Sequence, residues 1–133
     1  MSREDENQSD EMPAFPILRG ESVGEAGEFT GHVVLISSPE QLKREWKSDD
    51  VAVLQKQLEQ HFIEHPGDLD LVMSHVSAVL AEFGDSVSEL AATAYHRMTI
   101  ALVKVSDAFH VLEENMHIRI YAFENQGDVF FID

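Results

Sequence analysis

From His32 onward, short runs of apolar and β-branched residues recur, separated by segments whose apolar positions fall at helical spacing. His32-Val33-Val34-Leu35-Ile36, Val51-Ala52-Val53-Leu54, Ala78-Val79-Leu80-Ala81 and Thr99–Val105 are too short and too continuously apolar for surface helices. They read as buried strands. Between the first two, Ser38-Pro39-Glu40-Gln41 supplies an N-cap, a proline at the first helical position and an early acid, predicting a short helix that ends near Trp46. Gln55 to His65 reads as helical and is stopped by Pro66-Gly67. Leu69, Leu71, Val72 and Val76 suit a small helix, as do Ser88 to Arg97 and Asp107 to Glu114. His117–Tyr121 alternates with period two and faces Val129–Ile132 across Asn125-Gln126-Gly127-Asp128, a hairpin signature with Gly in the turn. Gly20, Gly24, Gly27 and Gly31 are too dense for a stable helix and suit turns and close backbone approach. The pattern predicts an α/β fold: a single domain with mixed sheets and a C-terminal β-hairpin.

Composition narrows the function classes. At 133 residues, 44% of them apolar, the chain is long enough for one domain with a real core. Residues 1–13 are expected to form a disordered acidic tail, since Met1–Met12 lacks periodicity and carries five acids against one arginine. Residues 14–133 are then the folded domain. A formal net charge of −16, with only nine Lys and Arg, argues against bare nucleic acid and against anionic membranes as partners. Such an acid excess suits a salt-rich cytoplasm or a very soluble protein. No apolar run approaches the roughly 18 residues of a membrane span, and no charged-then-apolar leader is visible, so a cytoplasmic location is expected. The absence of cysteine excludes disulfides, thiolate nucleophiles and thiolate metal sites. Oligomeric state stays open, with the apolar residues Phe130 and Phe131 as an edge that could pair with another chain.

One stretch carries more information than its neighbours: Glu82-Phe83-Gly84-Asp85-Ser86-Val87-Ser88-Glu89-Leu90-Ala91-Ala92, set between an apolar run and a helical segment. It follows, in order, Gly24–Gly27 and Gly31–Ile36, Ser38-Pro39-Glu40-Gln41-Leu42 and Asp50–Leu54, and precedes Thr99–Val103 and Ile118–Phe131. This series resembles the mobile, phosphohistidine swivelling domain of phosphoenolpyruvate-utilising enzymes: phosphoenolpyruvate synthase, pyruvate phosphate dikinase and enzyme I of the sugar phosphotransferase system. The resemblance covers nearly all of Gly20 to Asp133. It implies a single swivelling β/β/α-type domain, present here as a stand-alone copy. In that family a histidine at a helix N-terminus accepts a phosphoryl group, and the domain swings between two active sites. Here Glu89 stands at the histidine position, Asp85 at the second loop glycine, Val87 at the motif threonine, Leu90 at the following alanine and Ala101 at a proline.

Glu89 cannot form a phosphohistidine. Three readings of it remain. Ser86-Val87-Ser88-Glu89 matches an S-x-x-E capping box, and an acid in the first helical turn is favoured by the helix dipole. A carboxylate can act as a covalent nucleophile. A fixed carboxylate can also mimic a phosphorylated loop and dock on a cationic partner. His96 lies on the same helical face as Glu89 and is the candidate for a displaced phosphoryl acceptor, a surface histidine being the alternative. His61-Phe62-Ile63-Glu64-His65 matches H-x-x-E-H, but Pro66 leaves no helix to carry a zinc site, so His61 and His65 are weak metal candidates only. His32, His75, His110 and His117 stand isolated. No cofactor is implied. Two function classes follow. The first is a non-catalytic interaction or regulatory module without catalytic residues, binding through Gly84, Asp85, Ser86, Ser88 and Glu89. The second is a phosphotransfer component fed by a separate phosphoenolpyruvate- or ATP-dependent enzyme. Either needs a protein partner, with a nucleotide- or phosphoenolpyruvate-binding enzyme as the candidate.

Overall fold

The short apolar runs form the parallel half of one sheet. In the computed structural model, which describes residues 15–132, β2 (Gly27–Ile36), β3 (Asp50–Leu54), β4 (Ala78–Ala81) and β5 (Ile100–Val103) lie side by side and run the same way. The acidic segment 1–13 lies outside the described residues. β3, β4 and β5 are buried at every position, which is why they read as continuous apolar runs rather than alternating ones. A single 3-10 turn (Pro39–Leu42) stands where a helix reaching Trp46 was expected. β3 leads through a second such turn (Lys56–Leu58) into α1 (Glu59–Glu64) and α2 (Gly67–Met73), and α3 (Glu89–Arg97) connects β4 to β5. After α4 (Ala108–Val111), β6 (His117–Phe123) and β7 (Gln126–Phe131) form an antiparallel hairpin that turns at Glu124-Asn125. β6 pairs antiparallel to β2. Among the described residues, no helix is long and apolar enough to cross a membrane.

The expected swivelling β/β/α-type domain with mixed sheets is not what this chain forms. All seven strands close into one barrel in the order β1-β5-β4-β3-β2-β6-β7, with β7 returning to β1. The closing element is β1 (Leu18–Ser22), in the glycine-rich stretch whose spacing suits turns and close backbone approach. β1 pairs antiparallel with β5 through Glu21↔Val103 and Ser22↔Leu102. On its other side it pairs with β7 through Leu18↔Val129, Arg19↔Asp128 and Gly20↔Gly127. Gly20 and Gly127 therefore sit opposite one another where both strands approach β5. A Cβ on Gly127 would overlap the Leu102 side chain, and one on Gly20 would lie 2.7 Å from both the Val103 carbonyl oxygen and Val105 Cγ2. Glycine permits this approach without displacing either neighbour. β7 is consequently hydrogen-bonded to β6 on one side and β1 on the other, so the hairpin is no free sheet edge where β1 covers it.

Two apolar layers result from the strand alternation. Leu18, Val33, Val53, Leu80, Leu102 and Val129 belong to a cluster drawn from all seven strands, the barrel interior. The intervening positions, among them Val34, Leu54, Val79 and Val103, pack instead with Phe62, Leu69, Val72 and Leu90 of the helices. Ala108 and Leu112 join the barrel cluster from the α4 side.

The seam is testable by pairing two glycine substitutions. Gly127→Ala should lower stability by about 1–3 kcal/mol, because the added methyl meets a fully packed leucine. Gly67→Ala, whose Cβ would enter open space at the start of α2, should be neutral or stabilising by up to about 1 kcal/mol. Urea unfolding that gives the same midpoint for both variants would remove the steric account of closure.

Candidate functional site

The loop after β4 leaves the sheet at the carboxyl ends of the parallel strands, where parallel α/β sheets commonly bind ligands. Its first residue, Glu82, fastens it. One carboxylate oxygen accepts the Lys56 backbone N–H and the other accepts that of Phe109, both at 2.9 Å, tying the loop to the turn after β3 and to α4. No local pattern marks Glu82 for this role, because both donors come from remote segments. Phe83 turns inward and stacks on Phe62 of α1, ring centroids 6.1 Å apart. Gly84 then adopts a left-handed φ of 97°, a conformation that glycine takes without penalty.

The helix start differs from the expected capping box. Asp85 Oδ1 accepts the Val87 N–H at 2.9 Å, and the Ser88 hydroxyl donates to the Asp85 carbonyl at 2.8 Å. This turn takes up Ser86 and Val87, so α3 begins later. Ser88 is the N-cap, its Oγ accepting the Ala91 N–H at 3.3 Å, and Glu89 is the first helical residue. Glu89 is exposed, and among the described residues its side chain makes no hydrogen bond or ion pair. Ser86 does not cap.

Loop and α1 together enclose a groove of about 340 Å³. Its buried lining is Phe62, Leu69, Phe83 and Leu90. Ile63 and Val87 line it while remaining 63% and 89% exposed. Glu59, Asp85 and Glu89 supply its charge, and among the described residues no basic side chain lines it. Of the five binding residues expected from the sequence, Gly84, Asp85, Ser88 and Glu89 line the groove and Ser86 does not. Phe62, Ile63 and Val87 were not expected there; their apolar character reads as core in sequence, and only their positions make them a groove.

The remaining candidates lie elsewhere. His96 is exposed in the last turn of α3, about 10 Å along the axis from Glu89 at 1.5 Å per residue. Its neighbour Arg97 makes a bidentate pair with Asp70 of α2, Nε and Nη2 each donating at 2.8 Å. That hydrogen bonding, reinforced by the charges of Arg97 and His96, holds the Asp70 carboxyl below its usual range against a smaller opposing effect of burial. His61 Nε2 lies 2.7 Å from Asp68 Oδ2, and the His61 and His65 rings stack at 4.6 Å. Among the described residues, no group of three or more His, Cys, Asp or Glu is placed to hold a metal ion. His32 and His117, isolated in sequence, are brought together by the β2–β6 register: their rings stack at 4.6 Å, and His32 Nδ1 lies 2.8 Å from Asp49 Oδ2. The His32 hydrogen bond lowers the Asp49 pKa.

Ser88→Ala should cost about 1 kcal/mol of stability through the lost cap, whereas Ser86→Ala should stay within about 0.5 kcal/mol. A larger loss from Ser86→Ala than from Ser88→Ala in chemical denaturation would return the cap to Ser86. The Asp70–Arg97 pair predicts a pH dependence. A carboxyl whose folded pKa is depressed contributes stability above its unfolded value, near pH 4, and loses it as pH falls through the lower folded value. The stability advantage of the native chain over Asp70→Asn should therefore be constant above about pH 5 and vanish at strongly acid pH. An advantage that persists unchanged down to pH 2, read from thermal melts, would contradict the pairing.

No family model matches this sequence, and no curated protein is similar to it. Solved structures share its fold. Aconitase X of Thermococcus kodakaraensis, in its holo form, superposes with a TM-score of 0.54 at 12% identity, over 85% of this chain and 97% of that one. A UPF0107 protein solved by NMR gives 0.57 at 12% identity, over 91% of this chain and 100% of that one. Glycerol dehydratase reactivase gives 0.54 at 12% identity, over 81% of this chain and 20% of that one. None of the three is a phosphoenolpyruvate-utilising mobile domain, and at such identity the likeness is one of fold alone.

Proposed function

We propose that this chain is a cytoplasmic, non-catalytic interaction or regulatory module that docks on a protein partner through the loop after β4. The observation that carries the reading is the groove itself: an apolar lining with exposed Ile63 and Val87, edged by Glu59, Asp85 and Glu89. A helix N-terminus attracts anions. At the start of α3, Glu89 and the nearby Asp85 already supply negative charge. A phosphoryl group brought there would face carboxylates, whereas a cationic surface would be attracted. The hydroxyl nearest the helix start, on Ser88, donates to the Asp85 carbonyl and accepts from the Ala91 N–H, and among the described residues no side-chain base is bonded to it.

The test places a photo-crosslinking amino acid at Val87, or at Tyr121 on β6 as a distant control, in extract of the native host. A discrete protein adduct from Val87, reduced several-fold by Glu89→Gln and absent from Tyr121, is the expected result. Adducts of equal yield from both positions would reject docking at this loop. Intact mass of the same protein after incubation with phosphoenolpyruvate or ATP in that extract should be unchanged; an alkali-stable, acid-labile phosphoryl adduct would replace this reading with phosphotransfer.

A further inference from the structure

Building on the docking reading, we infer that the groove's occupant is a short basic segment of the partner. That segment would insert one large apolar side chain between Ile63 and Val87 while flanking arginines or lysines pair with Glu59, Asp85 and Glu89. The inference deepens the proposed function by naming the chemistry of what docks.

Capacity points to one anchor rather than a large ligand. At about 340 Å³ the groove stands at the small end of the roughly 300–1,000 Å³ typical of ligand cavities. Two of its apolar walls remain largely in water, a setting that an inserted side chain would dry out. Charge selects the flanks. The carboxylates belong to three separate places: Glu59 begins α1, Asp85 lies in the loop, and Glu89 begins α3. Cations carried on the same chain as the apolar anchor can meet them together, and guanidinium groups can do so bidentately. Lys56 already pairs with Glu59 at 3.3 Å in an exposed contact, which shows this edge accepting a cationic side chain. An anionic segment would be repelled both here and by the net charge of −16, which also steers cationic partners toward the protein.

The experiment titrates the full chain, labelled with nitrogen-15, with three synthetic peptides. One carries arginine pairs around a Leu-Phe centre, the second replaces its arginines by glutamates, and the third replaces its centre by serines. The first should shift the amides of Ile63 and Phe83 to Leu90. Its affinity should fall about tenfold in Val87→Ser, the effect of truncating an apolar anchor contact, and up to about fivefold in Glu89→Gln. The glutamate peptide should leave these amides in place. The inference is overturned if the serine-centred peptide binds the groove equally well, if shifts spread over the acidic surface and ignore Val87→Ser, or if no peptide shifts the loop. A Glu89-dependent crosslink at Val87 without any peptide response would leave the docking reading standing and reject the basic segment. Failure of both would reject the two together.

Discussion

The structure depends on a steric constraint at the barrel seam. β1 closes the barrel between β5 and β7, and there Gly20 and Gly127, paired across the ladder, leave room for Val103 and Leu102. Without that approach the parallel strands would end in an open edge at β5, with Leu102 and its neighbours uncovered on one side. Closure instead places side chains from all seven strands in one interior and gives each edge a partner. The opposite face of the parallel strands is then free to hold the helices.

This arrangement puts a firm base beneath an exposed site. The loop after β4 springs from a strand buried at every position, is held by Glu82 to two other segments, and is anchored inward by Phe83 on Phe62. Gly84 turns the chain, Asp85 shapes the turn and Ser88 caps the helix. What remains unburied after these contacts are made is Val87, Ile63 and the carboxylates around them. Held backbone beneath exposed apolar side chains suits recognition, since little ordering cost is left for binding.

Charge at the helix start sets the direction of the functional argument. The same geometry of turn and helix N-terminus would favour an anion if its side chains were neutral. Two carboxylates in that position reverse the preference. In the proposed docking role, the shape of the loop presents the groove while the charge of Asp85 and Glu89 favours a cationic partner.

How much was legible in advance divides along the range of the forces involved. The parallel strands, the three main helical segments and the hairpin were readable because β-branched runs, proline stops and period-two alternation act within a few residues. The loop after β4 was visible too, as glycine and polar residues between a strand and a helix. The closed barrel was not, because a glycine required for close approach looks the same in sequence as one required for a turn, and its partners at Leu102 and Val103 lie far along the chain. The N-cap moved from Ser86 to Ser88, although only Ser86 has an acid three residues on, because the turn made by Gly84 and Asp85 takes up Ser86 and Val87 before the helix starts. The stacking of His32 on His117 and the two hydrogen bonds that Glu82 accepts from Lys56 and Phe109 arise from strand register and chain packing. Local chemistry wrote the elements; their meeting, which depends on sterics and hydrogen bonds between remote segments, made the barrel and the groove.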